Sequence, residues 1–295
     1  MRVFVTGATG FIGSAVVADL LRAGHQVLGL ARSDEGARGL IAAGAEVQRG
    51  DLSDLEGLRA GAAQSDGVIH TAFIHDFSKF QENCAIDKRA IETLGDALAG
   101  SNRPLIVSAG LGLLAPGRVA TEDDAVPPNP HMPRVSEQTA ESFVERGVRV
   151  ATIRLPQVHN TFKQGLITYA LAIARQKGVS AYVADGLNRW PAVHLLDAAP
   201  LYRIALEKAP AGARYHAVAE EGVRVKEIAE AIGKGLGIPV VSKSPEQAAE
   251  HFGWLALFAG LDMSASSALT KQRLSWQPTH SDLLTDLGNM DYSAA

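Results

Sequence analysis

Arg2-Val3-Phe4-Val5-Thr6-Gly7-Ala8-Thr9-Gly10-Phe11-Ile12-Gly13 decides how this chain of 295 residues is to be read. Arg2 to Thr6 is a short run rich in β-branched and aromatic side chains, the composition of a buried strand. Glycines at 7, 10 and 13 then punctuate a turn. Ser14 to Ala23 carries apolar side chains at Ala15, Val16, Ala18, Leu20 and Leu21, which is helical spacing. Gly24 is placed to cap that helix at its carboxyl end, and Gln26 to Ala31 (QVLGLA) resumes as a second strand. Met1-Arg2 and the apolar residues after it superficially resemble a secretory leader. Thr6 to Gly10 interrupts the run, however, and no small-residue cleavage site follows, so the segment is expected to be part of the fold.

In that setting the glycines take separate tasks. Gly7 permits the tight turn, Gly10 lets the backbone approach an anion, and Gly13 lets the helix pack closely on the strand. Amides at the helix start then face a pyrophosphate, helped by the helix dipole. The reading is a dinucleotide crevice with Gly7, Thr9, Gly10, Phe11, Ile12 and Gly13 against the cofactor. A site selective for NAD usually ends the second strand with an acid that binds the ribose. This chain has Ala31-Arg32-Ser33 there, which sets a guanidinium and a hydroxyl where a 2′-phosphate would lie. NADPH (NADP) is therefore the expected cofactor. The alternative is that Arg32 is a solvated charge while Asp34 or Glu35 caps the next helix.

The alternation continues. Ala45 to Arg49 is predicted as a strand, followed by a loop at Gly50 to Asp54 in which Asp51, beside Leu52, is expected to meet the adenine. Gly67 to Thr71 is the fourth strand, with Thr71, Ala72 and Phe73 passing along the cofactor at its carboxyl end. A helix over 82–99 is expected to bury Ile86, Ala90, Leu94, Ala97 and Leu98. Pro104 to Ser108 is the fifth strand. A Pro-rich loop from Pro127 to Pro133 leads into a helix over 136–146, and Val148 to Leu155 is the sixth strand. Six strands separated by helices imply an α/β fold, a doubly wound parallel (Rossmann) sheet over 1–156, with ligand at the strands' carboxyl ends.

Past Pro156 the alternation loosens. Helices are predicted at 166–176, 197–206 and 226–236, and strands at 179–184 and 213–218. Residues 157–295 are thus expected to form mainly a smaller substrate-binding cap, with a return segment near 190–208 belonging to the nucleotide domain. No internal repeat or low-complexity linker separates the two.

Composition sets outer bounds. With 28 Lys+Arg against 32 Asp+Glu the net charge is −4, and no basic run is present, which argues against a nucleic-acid partner. The longest strongly apolar uncharged stretch, Phe252 to Leu261, is short of the roughly 20 residues that span a bilayer. One cysteine, Cys84, excludes an internal disulfide and reads as a small buried residue in a reducing, cytoplasmic compartment. No HExxH, Cys/His cluster, GxSxG elbow or Walker lysine is present, so metal, hydrolase and nucleoside-triphosphate chemistries lack a motif.

The glycine turn, together with Gly50-Asp51-Leu52, Arg154-Leu155-Pro156, Trp190-Pro191-Ala192-Val193-His194 and Leu196-Asp197-Ala198-Ala199, resembles the extended short-chain dehydrogenase/reductase family, in its epimerase/dehydratase-like branch. The resemblance covers essentially the whole chain. It implies a nicotinamide cofactor, hydride chemistry, a catalytic Tyr-x-x-x-Lys with a Ser or Thr after the fifth strand, Pro156 beside the nicotinamide, and a monomer or a homodimer formed through helices 82–99 and 136–146.

The catalytic pair departs from that pattern. Aligned on Ser136, the Lys position holds Glu137 and the Tyr position holds Pro133. None of the five tyrosines has a lysine four residues on: Tyr169, Tyr182, Tyr202 and Tyr215 precede Ile173, Gly186, Leu206 and Ala219, and Tyr292 has no residue at that spacing. Ser108 remains as a weak catalytic candidate, with Ala109 and Leu111 where hydroxyls often occur. A positioned general acid contributes about 10²–10⁴-fold, so its loss calls for another proton source. A phenol or enol beside the substrate ketone would serve. His159, Tyr169 and His194 are protein alternatives, each with a bland structural reading.

Phe252-Gly253-Trp254-Leu255-Ala256-Leu257-Phe258 is apolar for a cap segment, and with Tyr182 and Trp190 it would suit a flat aromatic ligand better than a sugar nucleotide; ordinary core is the competing reading. Substrate-binding candidates are therefore His159, Tyr169, Trp190, His194 and Trp254. In lacking Tyr and Lys the chain resembles Tyr-less ketoreductases of aromatic polyketide (angucyclinone) pathways. Three functions stay open: NADPH-dependent reduction of an aromatic ketone as the leading expectation, a non-catalytic NADPH-binding redox sensor, and an epimerase or dehydratase.

Overall fold

The computed structural model describes residues 1–112, 114–127 and 133–293. In chain order the elements are β1 (Arg2–Thr6), α1 (Phe11–Arg22), β2 (Gln26–Ala31), α2 (Asp34–Ala43), β3 (Glu46–Arg49), α3 (Leu55–Ala63), β4 (Gly67–His70), α4 (Phe80–Leu98), β5 (Pro104–Gly110), α5 (Ser136–Glu141), β6 (Arg149–Leu155), β7 (Gln157–His159), α6 (Ile167–Lys177), β8 (Ser180–Val183), β9 (Arg189–His194), α7 (Leu195–Lys208), β10 (Ala213–His216), β11 (Glu220–Arg224), α8 (Val225–Leu236), β12 (Val240–Lys243), α9 (Pro245–Phe252), α10 (Ala256–Ala259), α11 (Ala268–Leu274) and α12 (Leu283–Gly288). The chain divides into two compact units. One comprises 1–109, 128–154 and 198–215; the other comprises 110–127, 155–197 and 216–295.

The first unit is built on a seven-stranded sheet in the order β10-β6-β5-β4-β1-β2-β3. Strand β1 pairs in parallel with both β2 and β4, with Val5 opposite Gly29 on one side and Ile69 on the other. The chain winds outward from β1 through β2 to β3, then returns to β4 on β1's other flank. That reversal opens a crevice at the carboxyl ends of β1 and β4. Phe4, Leu28, Val68, Leu105 and Val107 of the sheet pack against Leu58 of α3 and Ile91, Leu94 and Leu98 of α4. Such a sheet, covered on its faces by crossover helices, reads as near-continuous apolar strands, as β1 and β5 do.

Two sequence expectations are corrected here, at β10 and at α5. The strand foreseen at 213–218 in the cap is Ala213–His216 and joins the large sheet as a seventh strand, beside β6. Residues 198–215 cluster with the first unit, overlapping the return segment expected near 190–208. Helix α5 stops at Glu141 and continues only as turns through Gly147. On α4 the buried stripe is Cys84, Asp87, Ala90, Ile91, Leu94 and Leu98, while Ile86 and Ala97 lie at its partly buried margin.

The second unit contains a three-stranded sheet, β11-β9-β7, and a parallel pair, β12-β8. Trp190, Ile167, Leu171, Ile228, Ile232, Leu283 and Leu287 form its main core, and Phe252, Leu255, Ala259 and Val183 form a smaller one. Among the described residues, no helix is long and apolar enough to cross a membrane.

Candidate active site

The crevice of the first unit is lined by the glycine turn. Gly7 adopts φ 69°, a left-handed conformation that only glycine takes readily. A Cβ on Gly13 would stand 2.0 Å from the Gly7 carbonyl oxygen. The Gly10 amide donates to that same carbonyl at 2.8 Å, which fixes the turn. Helix α1 then begins at Phe11, three residues earlier than the apolar spacing indicated, so Phe11, Ile12 and Gly13 form its first turn. No side chain caps this terminus and no acid lies in its first turn; its amides and dipole are left for an anion. Thr71 ties the ends of β4 and β1 together, its hydroxyl and its amide both donating to the Thr6 carbonyl at 2.8 and 3.2 Å. Ala72 presses its backbone against Gly7. Thr9 is exposed at the mouth of the turn.

At the end of β2, Arg32 and Ser33 are exposed. Ser33 caps α2 by accepting from the Gly36 amide at 3.1 Å, so the cap is neither Asp34 nor Glu35. Asp34 instead pairs with Arg49 at 2.7 Å. Asp51 accepts from the hydroxyl and the amide of Ser53 at 2.5 and 2.7 Å, bonds that hold its carboxyl below the usual range. Leu52 turns its side chain into the core, leaving only its backbone for a ligand.

Beneath the strand ends runs a chain of buried polar groups. The Thr6 hydroxyl meets His70 Nδ1 at 2.8 Å, and His70 Nε2 meets Asp87 Oδ1 at 3.1 Å. The Ser136 hydroxyl donates to Asp87 Oδ2 at 2.5 Å, and Arg134 Nε donates to Ser136 Oγ at 3.0 Å. Although burial alone would raise it, the Asp87 carboxyl is held low by its bond to His70 and by the charge of Arg134. The Ser108 hydroxyl donates to the His70 carbonyl at 3.0 Å and sits 2.7 Å from the Tyr202 hydroxyl. Since the single Ser108 proton is already directed at a carbonyl, Tyr202 is the donor between them. Tyr202 is fully covered, and burial pushes its phenol pKa well up. The Ser108 hydroxyl, the catalytic candidate, is thus buried and engaged on both sides, by the His70 carbonyl and by Tyr202. Cys84 lies close by, its thiol raised to about 11 by burial, which disfavours the thiolate at neutral pH.

The five substrate-binding candidates lie in the second unit and fare differently. His159 is wholly covered, its Nδ1 2.7 Å from Asp286, and burial lowers its pKa. Trp190 is also core. Its indole nitrogen has no hydrogen-bond partner among the described residues. His194 stacks on His280 with centroids 4.9 Å apart and accepts from the Leu196 amide at 3.1 Å, and burial lowers its pKa too. Tyr169 and Trp254 meet edge to face at 5.0 Å, with Trp254 38% exposed. Pro156 is half-buried between β6 and β7. Among the described residues, no group of His, Cys, Asp and Glu is arranged to hold a metal ion.

Comparison with known proteins places this geometry. Residues 3–101 match the family model described as the NAD dependent epimerase/dehydratase family. An uncharacterized protein of Schizosaccharomyces pombe is 52% identical over 294 residues, covering 99% of this chain and 100% of the relative. An uncharacterized protein of Saccharomyces cerevisiae is 45% identical, covering 97% and 98%. The structure superposes on DesIV, a dTDP-glucose 4,6-dehydratase of Streptomyces venezuelae solved with NAD and TYD bound, with a TM-score of 0.78, 18% identity and coverage of 99% and 96%.

Residues 3–101 carry the pattern of the NAD dependent epimerase/dehydratase family, and the chain has the fold of a solved dehydratase.

Within an epimerase/dehydratase fold, the position that the resemblance aligns with the catalytic lysine holds a side chain with another task. Glu137 is buried and accepts a fork of hydrogen bonds from Arg154, at 2.8 and 2.6 Å, with Arg214 3.1 Å away. Pro133, aligned with the tyrosine, has no proton to give. The Pro-rich loop before it, 128–132, lies outside the described residues. Sequence reading missed Arg134, Asp87, His70 and Tyr202. Two signals were available: an arginine next to the vacated tyrosine position, and an aspartate on the buried stripe of α4, which demands buried partners.

Proposed function

We propose that this protein is an NADPH-dependent reductase of an aromatic ketone that carries a hydroxyl beside its carbonyl. The carrying observation is the uncapped first turn of α1 at the β1/β4 crevice, reached from a second strand that ends in Arg32-Ser33 where an acid would select NAD. Phe11, Ile12 and Gly13 would hold the pyrophosphate through their amides, Arg32 the 2′-phosphate, and Thr71, Ala72 and Phe73 the edge of the cofactor. NADPH, when bound, supplies a hydride.

The chain's own groups explain why the substrate should bring its proton. Pro133 has none, Glu137 is locked to Arg154, Ser108 is engaged inside the core, and Tyr202 is buried with a raised pKa. Holding reactants in register can still contribute on the order of 7–11 kcal/mol in favourable systems. An adjacent phenol within the substrate would then supply the acid catalysis that a side chain normally gives.

The test is nicotinamide absorbance with ortho-hydroxyaryl ketones and their O-methyl ethers. Consumption of NADPH with the hydroxy ketone and a loss of about 10²-fold or more with the ether is the expected result. Tight NADPH binding without turnover of any ketone would favour a redox sensor. In parallel, Arg32→Ala should weaken NADPH binding about 10- to 100-fold while leaving NADH nearly unchanged, since hydrogen bonds to a charged phosphate contribute about 1.5–3 kcal/mol.

A further inference from the structure

Arg134 has the surroundings of a ligand site. Its guanidinium lies over the Phe73 ring, 4.1 Å from the centroid. Nε donates to Ser136 Oγ at 3.0 Å and Nη2 to the Ser108 carbonyl at 3.3 Å. Both acceptors are neutral. The one carboxylate within ion-pair range among the described residues is Asp87, whose Oδ2 lies 4.0 Å from Nε, beyond hydrogen-bond reach, and whose oxygens already meet His70 and Ser136. The Arg134 side chain is only 24% exposed. A cation so far withdrawn from water, lacking a carboxylate fork, is completed by an anion of matching shape.

Aromatic rings continue from this cation. His75 lies 5.3 Å and Phe80 6.2 Å from Phe73, and Phe77 lies 5.7 Å from Phe80. Phe73, Phe77 and Phe80 are each partly exposed. This shelf follows directly on β4, and Ser108 brings Arg134 to the end of β5, so both stand at the carboxyl edge of the sheet where α/β folds bind ligands. Aromatic faces favour flat partners in offset or edge-on contact, while a guanidinium favours an oxyanion.

We propose that Arg134 and the Phe73–Phe77–Phe80 shelf form a subsite for an aromatic oxyanion, the ring along the shelf and the acidic oxygen on Arg134, with Ser136 and Asp87 as positioning residues. The ketone belongs to the reductase reading given above; the anion does not depend on it. With NADPH bound to supply a hydride, the ketone oxygen would gain the carbonyl electron pair as its carbon is reduced. That oxygen takes the proton of the neighbouring hydroxyl, and the phenolate left behind is held by Arg134 until it recovers a proton from water. The balance would then be one NADPH oxidised, one ketone reduced and one proton taken from water, with Arg134 holding the transient phenolate.

The test uses 3-hydroxy-2-naphthoate, a planar fluorescent anion, titrated against the full chain without cofactor, and its neutral methyl ester as control. Arg134→Met should weaken the anion about 10- to 100-fold. Arg134→Lys should recover part of that loss, because a point charge cannot fork, and the ester should bind wild type and Arg134→Met alike. Circular dichroism and NADPH affinity, unchanged in both variants, exclude misfolding. Absence of saturable binding to wild type, equal binding to Arg134→Met, or equal binding of the ester overturns the subsite. A second arm measures NADPH consumption with 1-acetyl-2-naphthol. Equal rates for wild type and Arg134→Met overturn the subsite and leave the reductase reading standing. Arg134-dependent binding of the naphthoate without any ketone reduction supports the subsite and overturns the reductase reading alone.

Discussion

Glu137 and Arg154 are joined by two parallel hydrogen bonds, at 2.8 and 2.6 Å, with Arg154 wholly covered and Glu137 nearly so. One carboxylate from the start of α5 thus neutralises a cation rooted in β6. Restoring the family lysine there would set three cations together: the new one, Arg154 and Arg214. Glu137→Lys is therefore expected to cost about 3–5 kcal/mol, the usual consequence of an unpaired buried charge. The melting temperature should fall by roughly 10 °C without any gain in NADPH turnover. A rise in turnover at unchanged stability would mean that the pair is dispensable.

Gly13 tests the crevice from the other side. Its Cβ would meet the Gly7 carbonyl at 2.0 Å, and neither backbone has room to yield while Thr71 clamps β1 to β4. Gly13→Val is expected to weaken dinucleotide binding at least about tenfold and to destabilise the first unit by about 1–3 kcal/mol through overpacking. Isothermal titration with NADPH and thermal melting measure the two effects separately. Gly39, on α2, has nothing within 4 Å of its Cβ position, so Gly39→Ala serves as the control with neither effect.

Ser108→Ala should separate structure from catalysis. The substitution removes the acceptor of the buried Tyr202 hydroxyl, and an unmade buried hydrogen bond costs about 1–3 kcal/mol. A group that donated the reactive proton would lower kcat by about 10²–10⁴-fold. With Ser108 facing inward, the melting temperature is expected to drop while kcat changes less than about tenfold. A kcat loss at unchanged stability would restore Ser108 to the chemistry.

What was legible in the sequence follows from range. Strands Arg2–Thr6 and Gln26–Ala31 are read to the residue, because apolar composition, a glycine turn and a cap all act locally. The doubly wound order follows from the alternation of elements, since parallel neighbours require crossover helices. The contacts that define the site run far along the chain. Asp87 meets Ser136 across 49 residues and Ser108 meets Tyr202 across 94, and no period or spacing encodes such pairs. Strand β10 was assigned to the cap for the same reason: four residues of ordinary strand carry no mark of the sheet that will take them. Nor does the sequence show that His159 meets Asp286 across 127 residues, since a histidine after a strand looks alike whatever its partner.

His159 also sets a dependence on pH. It faces Asp286 at 2.7 Å, Glu220 at 3.8 Å and the ring of His194 at 5.6 Å, with Asp282 acting at longer range. Burial lowers the pKa of both His159 and His194 below the ordinary value of 6.5. A histidine lowered in the folded state binds its proton more readily when unfolded. Its stability contribution is therefore complete above about pH 6.5 and is lost as pH falls towards the folded value. Glu220, raised by burial, acts in the opposite sense: its contribution is present at low pH and disappears as pH rises through its folded value. Between pH 7 and 5 the lowered histidines, His251 among them, each act with a limiting slope of about 1.4 kcal/mol per pH unit. The melting temperature should thus decline over that interval. His159→Gln, which keeps a donor for Asp286 but cannot titrate, should flatten the decline; an unchanged slope would assign the proton uptake elsewhere.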